Sequence, residues 1–300
     1  MAAPCKGLFG RLPCGESGQG VLAVILAVGA ALGWGTADFL GGLKSRSAPL
    51  LSVLLISQAF ALLLLFMLVV SAGDAPPAGH FLAYAAAAGL AECLGVAALY
   101  RGLSVGTMSI VAPVSAVAPA VPLATGLLLG EVPTPLQAAG LALIVAGVIL
   151  TSRQRGDEAG VSRGLAASIL YGLVSALGFG VFFVAMGAAS EGSVPWTLLL
   201  ARLSAVAALA GVVIVTRFRP AVRRGDLPVL AVMGVLIMSA DGMYAIATTL
   251  GLLSVVAVVG ALHTVVTIAL ARICLHETIA GIQRLGIAAC LCGVLMISAE

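Results

Sequence analysis

The sequence predicts an all-α integral membrane fold of ten transmembrane helices, arranged as a five-plus-five inverted repeat, and three observations carry that prediction. A content of 61% hydrophobic and 9% charged residues is far from the soluble range, in which about a quarter of residues are charged. Ten mainly apolar segments alternate with short polar breaks, each near the length of about twenty residues that a spanning helix needs. The stretch from Leu99 to Leu150 returns in weaker form 146 residues later, so that Glu131 pairs with Glu277, Gln137 with Gln283, Gly140 with Gly286 and Gly147 with Gly293. Such self-similarity at a fixed offset marks a duplicated unit.

In order, the first five segments run about Val21 to Leu43, Pro49 to Val70, Phe81 to Tyr100, Ser109 to Leu129 and Leu136 to Thr151. The second five run about Ser162 to Met186, Pro195 to Thr216, Pro228 to Leu250, Ser254 to Leu275 and Ile279 to Ser298. The breaks between them, among them KSRSAP, SAGDAPPAGH, GEVPTP and RFRPAVRRGDLP, are rich in the Gly, Pro and charge that end helices. The organisation expected is a polar N-terminal segment over residues 1–20, one repeat over 21–151, a linker over 152–161 and the second repeat over 162–298. The apolar run after Lys6 and Arg11 is too long for a signal peptide and carries Asp38, so it reads as a retained first helix.

The duplication reaches beyond the opening stretch. ALGWG at Ala31 to Gly35 recurs as ALGFG at Ala176 to Gly180 in the first helix of each half, and the third helices align through Gly95 and Gly242. Five spans per unit is odd, so the second copy enters the membrane from the opposite side, as in secondary transporters that bind substrate near the midplane between inverted repeats. With a "P…GE…Q..G…G" ending in each half, the chain resembles the ten-helix EamA-type members of the drug/metabolite transporter superfamily over nearly its whole length. That resemblance implies an exporter of amino acids, amines or related metabolites. The family's arginine early in the second helix of a repeat is matched by Arg202, while Gln58 stands at that place in the first half. The proline of the fourth helix is Pro113, whose counterpart in the second half falls near Val258 or Val259.

The net charge of +3 is small and the basic residues lie in short clusters between apolar runs, which leaves no patch for a nucleic acid. Lys44 and Arg46, then Arg153, Arg155 and Arg163, then Arg217, Arg219, Arg223 and Arg224 follow the first, fifth and seventh spans, and the loops of the other side carry none. The positive-inside rule therefore puts that side in the cytoplasm and both termini outside, opposite to the orientation the resemblance implies.

Ionisable side chains inside spanning helices cost about 2.5 to 3.5 kcal/mol on insertion scales and usually face the bundle interior or a wet cavity. Asp38, Glu92, Asp241 and His263 are of this kind. Trp34 and Asp38 share a helix face, as do Asp241, Tyr244 and Thr248, and these faces are expected to turn toward a cavity. Asp241 and Glu92 are candidates for binding a substrate ammonium or carrying a proton, against the alternative of a neutral acid joining two helices. His263 is a candidate shuttle or a packing residue. Pro113, Pro119 and Pro122 break the fourth helix and free carbonyls, with Ser115 adding a hydroxyl, and broken helices at a repeat interface point to a transporter's site.

Trp34 and Phe179 hold equivalent places in the two repeats and are expected to line the cavity. Glu131 and Glu277 are structural or gating candidates whose carboxylates are placed to complement the positive end of the fifth helix that follows each. Arg202 is expected to pair or to snorkel toward the interface near Pro195, leaving an acidic midplane without Lys or Arg that suits a cationic or zwitterionic substrate.

No cofactor is expected, nor a metal site, since no other histidine lies at a helical spacing from His263 within the spans and the cysteines form no ligand spacing. The partners expected are a small-molecule substrate, the lipid bilayer and, as candidate coupling ion, the proton, with the chain a monomer or homodimer. The function expected is a secondary transporter of a cell membrane, not an enzyme, exporting a small organic metabolite by alternating access. An intramembrane enzyme acting on a lipid-borne substrate would need a nucleophile and base at one depth, and a non-catalytic scaffold would have no continuous cavity. The inverted duplication favours transport over both.

Overall fold

The computed structural model describes residues 16–45, 47–73, 75–105, 111, 114–152, 165–275 and 281–298. Pro113, Glu277, the first fifteen residues and most of the expected linker lie outside them. The described residues form helices, turns and loops, with no strand among them. In the first half these are α1 (Glu16–Ser45), α2 (Leu50–Ala72), α3 (Gly79–Val105), α4 (Ala120–Leu128) and α5 (Pro135–Ser152). In the second they are α6 (Leu165–Ser190), α7 (Val194–Thr216), α8 (Leu227–Leu250), α9 (Leu253–Gly260), α10 (His263–Leu275) and α11 (Gly281–Ser298). Six of them, α1, α2, α3, α6, α7 and α8, are long and apolar enough to cross a membrane, and shorter apolar helices accompany them. Outward-facing side chains such as Leu63, Phe66, Met67 and Val70 on α2 are exposed and apolar, as a lipid-facing surface requires.

The pairing of helices maps onto itself when the halves are exchanged. The α1–α8 contact corresponds to α3–α6, α2–α8 to α3–α7, and α2–α7 and α5–α11 correspond to themselves. Small residues permit these close approaches. A Cβ at Gly147 would meet Gly286 O at 2.7 Å, and one at Gly293 would meet Gly140 O at 2.7 Å. Moving forward along α5 therefore means moving backward along α11, so these equivalent helices run antiparallel. The same reading holds for α1 and α8, where Gly29 lies on Met243, Gly33 on Ala240 and Gly41 on Met233.

The fourth segment is broken in both halves. Before α4, the amides of Val117, Ala118, Ala120 and Val121 each bond three residues back, at 2.9 to 3.2 Å. Pro119 and Pro122 enforce this tighter winding because neither supplies an amide hydrogen. In the second half, where one helix over Ser254 to Leu275 was expected, the chain turns at Ala261 and Leu262 between α9 and α10. No proline causes that break. Gly260, just before the turn, packs against Trp34 and Tyr244, where a Cβ would meet Trp34 Cζ3 at 3.4 Å and Tyr244 Cδ2 at 3.5 Å, ordinary contact distances.

The two ends of the bundle differ. At the Lys44 end of α1, Lys44 Nζ pairs with Asp226 Oδ1 at 2.7 Å, which joins the loops after the first and seventh predicted spans. At the other end Gly251 lies beside Ala23, next to the start of α9. Thr134 and Gln137 form a reciprocal capping box at the start of α5, Gln137 N donating to Thr134 Oγ1 at 3.2 Å and Thr134 N to Gln137 Oε1 at 3.1 Å.

Candidate functional site

Arg202 on α7 is fully buried. Of the two alternatives expected for it, pairing or snorkelling, it pairs: its guanidinium points inward and donates to Gln58 Oε1 on α2, to Asp241 Oδ2 on α8 and, at 3.2 Å, to Glu92 Oε1 on α3. Four helices meet on one cation. The expectation of a midplane without a basic group fails for the same reason, since two carboxylates and an amide oxygen compensate a charge that could not otherwise be buried. Asp241 is also held from the other side, where Trp34 Nε1 donates to its Oδ1 at 2.8 Å. Both its oxygens are thereby used. Glu92 keeps Oε2 without a protein partner, and so does Arg202 its Nε.

Around the indole of Trp34 stand Phe182, Phe183 and Tyr244, with ring centroids 5.5 to 6.0 Å away, and His263 at 6.2 Å. Tyr244 is completely buried and donates its hydroxyl to Phe183 O at 3.1 Å. The Asp241–Tyr244 face, expected to border a cavity, is thus packed core. Phe179 does not join the aromatic cluster; it lies on Gly95 of α3, where a Cβ would meet its ring at 3.1 Å. Phe182, which the sequence did not single out, takes the place beside Trp34. Ser115 Oγ is 2.8 Å from Ser175 Oγ in a buried hydroxyl pair between the broken fourth segment and α6, away from the carboxylates.

Asp38 differs from these groups. Its side chain is 48% exposed, with Oδ2 3.8 Å from Nε2 of His263, itself 25% exposed. At about 100° per residue, the exposed apolar stripe of Ile25, Leu32 and Leu43 lies roughly 120° to 180° from Trp34 and Asp38. The exposure of Asp38 is therefore on the side of α1 away from that stripe, about 9 Å along the helix from Lys44.

Glu131 also departs from expectation. Because Thr134 and Gln137 already cap α5, its carboxylate reaches the other half, accepting from Leu253 N at 2.7 Å and Ser254 N at 3.1 Å at the start of α9. Two orphan amides are satisfied by an anion at the positive end of that helix. The contact lies at the end of the bundle opposite Lys44. Glu277, its sequence counterpart, is outside the described residues, as is Pro113. Among the described residues no three metal-ligating side chains gather.

With this geometry the comparisons with known proteins agree. The profile of the EamA-like transporter family matches residues 21–153 and again 166–299. The chain belongs to the EamA-like transporter family. Its members are transporters rather than enzymes, and the repeated match together with the apolar helices makes this a multi-pass membrane protein. No functionally curated protein matches the chain. A solved structure, titled "Crystal structure of protein", has a TM-score of 0.74 over 91% of this chain and 95% of its own at 18% identity, which shows a shared fold.

Proposed function

We propose that the chain is a ten-span secondary transporter with inverted halves, moving a small organic molecule by alternating access, with a cationic or zwitterionic metabolite exported in exchange for protons. The observation that carries this reading is the Asp38–His263 pair, an accessible carboxylate beside a partly buried imidazole on the side of α1 away from its exposed apolar stripe. The antiparallel run of the equivalent helices α5 and α11 supports the inverted arrangement.

In this reading the buried Arg202 cage is a fixed hub that holds α2, α3, α7 and α8 at one depth, while Asp38, His263 and the edge of Trp34 meet the substrate. Glu92, with one oxygen unpartnered, belongs to the hub and acts electrostatically on Asp38. Closure at one end by a two-amide contact of Glu131 suits alternating access, because that contact can be exchanged for one at the other end without unfolding a helix.

Purified protein in proteoliposomes, given a panel of amines and amino acids under an imposed pH gradient, tests the proposal. Accumulation that follows the gradient supports it. Transport indifferent to the gradient removes the proton, and lipid-tight packing between the halves removes the transporter reading.

A further inference from the structure

We infer that Asp38 and His263 form a single site for which a proton and an organic ammonium compete, so that the substrate class is a primary or secondary amine and exchange follows from mutual exclusion. The inference rests on the transport reading above. It begins at the break between α9 and α10. There the amide of Thr264 bonds to Ala261 O at 3.4 Å instead of to Gly260 O, as it would in a continuous helix. His263, the first residue of α10, fills that vacancy with Nδ1 at 3.3 Å from Gly260 O.

A carbonyl only accepts, so Nδ1 carries the hydrogen and Nε2 of the neutral ring is an acceptor. That lone pair faces Asp38 Oδ2 at 3.8 Å. Two acceptors at this spacing are too far apart to bond and repel unless a donor lies between them. One proton on Nε2 answers this by making an ion pair. An ammonium answers it too, giving one N–H to the carboxylate and one to Nε2.

Both cannot be present, because the proton on Nε2 occupies the position that the ammonium must take. When the amine enters, the Nε2 proton leaves to water through the exposed side of Asp38 and the amine keeps its own hydrogens, so one positive charge replaces another. Trp34 stands one turn from Asp38 on the same face of α1 and has His263 6.2 Å from its ring, so it lies beside the pair. Of the surrounding charged groups, Glu92 is the one that acts on the pair. Helices α2, α5 and α9 carry no ionisable side chain. From α8, Asp241 is committed to Arg202 and Trp34. From α3, Glu92 is within electrostatic reach of Asp38 and adds to the attraction for a cation. From α11, Cys290 bonds to Ile144 O and Arg284 is exposed.

The test uses the full chain in detergent with Trp196→Phe, which leaves Trp34 as the reporter, and 2-phenylethylamine as probe beside the uncharged 2-phenylethanol and the anionic phenylacetate. Amine alone should change Trp34 fluorescence, release up to one proton per amine bound in weak buffer, and bind more weakly as the pH is lowered. Asp38→Asn should weaken binding about 10- to 150-fold, the worth of a hydrogen bond to a charged group. His263→Gln, which keeps an acceptor but cannot hold the proton, should bind amine with less proton release and a shallower pH slope, the remainder belonging to the Asp38 carboxylate.

Binding unaffected by Asp38→Asn, a pH slope undiminished in His263→Gln, equal binding of the alcohol, or no amine binding by the parent protein would each overturn the assignment. Amine binding with the predicted signature but no translocation in proteoliposomes would uphold the site while removing the transport reading.

Discussion

Removing the buried cation gives the sharpest prediction about the hub. Arg202→Met takes away the partner of Gln58, Glu92 and Asp241 at a position with no exposure to solvent, leaving Asp241 with only the indole N–H of Trp34. Breaking a buried pair from one side costs about 3–5 kcal/mol, because the remaining charge is uncompensated. At about 2 °C per kcal/mol for a chain of this size, the melting temperature in detergent should fall by at least about 6 °C. Arg202→Lys should not restore it, since one ammonium cannot reproduce a planar fork across three acceptors. Asp241→Asn alone should cost less, because Glu92 still neutralises the arginine. The decisive variant is the double one, Arg202→Met with Asp241→Asn, which removes both charges and should be more stable than Arg202→Met alone. A purely additive double variant would refute the ion-pair reasoning and make Arg202 a packing residue.

Other outcomes follow from the same geometry. Glu131→Ala should destabilise by about 1–2 kcal/mol, Glu131→Gln by less, and both should speed maleimide labelling of an introduced Leu252→Cys; unchanged labelling would mean that this contact keeps nothing closed. Gly147→Val should cost about 1–3 kcal/mol by forcing α5 from α11, whereas Gly211→Ala, where a Cβ meets nothing within 4 Å, should be neutral or slightly stabilising in the same melting assay. For orientation, single cysteines at Ser45 and Ala75 in a cysteine-free chain should be labelled from outside intact cells at Ala75 only; labelling at Ser45 alone would reverse the positive-inside assignment.

Much of the architecture was legible because it rests on period and composition. The offset of 146 residues pairs helices that do pack as equivalents, and ALGWG and ALGFG both lie at close helix contacts. Pro119 and Pro122 announced the first broken segment through chemistry that no neighbour can cancel. The second break carried no such sign, since no proline stands at or near Ala261 and Leu262, where the chain turns. Arg202 shows the same limit. An arginine near a helix start looks free to reach the interface, and only the arrival of Gln58, Glu92 and Asp241 from three other helices makes its burial affordable. Glu131 was misread because sequence proximity favoured α5, although TPLQ, directly after it, already spelled the capping box that satisfies that helix. Asp38 and Asp241 looked alike as intramembrane acids; burial and partners, which a sequence does not state, separate a saturated carboxylate from an accessible one.

The central claim is that this chain moves a substrate in exchange for protons through the Asp38–His263 pair. Its most direct test is a trapped pH dye in proteoliposomes, read on addition of each amine and amino acid of a panel to the parent protein, Asp38→Asn and Asp241→Asn. The account predicts substrate-dependent proton movement in the parent that disappears in Asp38→Asn and persists, scaled by the amount of folded protein, in Asp241→Asn. Proton movement that survives in Asp38→Asn and vanishes in folded Asp241→Asn would contradict it and return the coupling role to the buried hub.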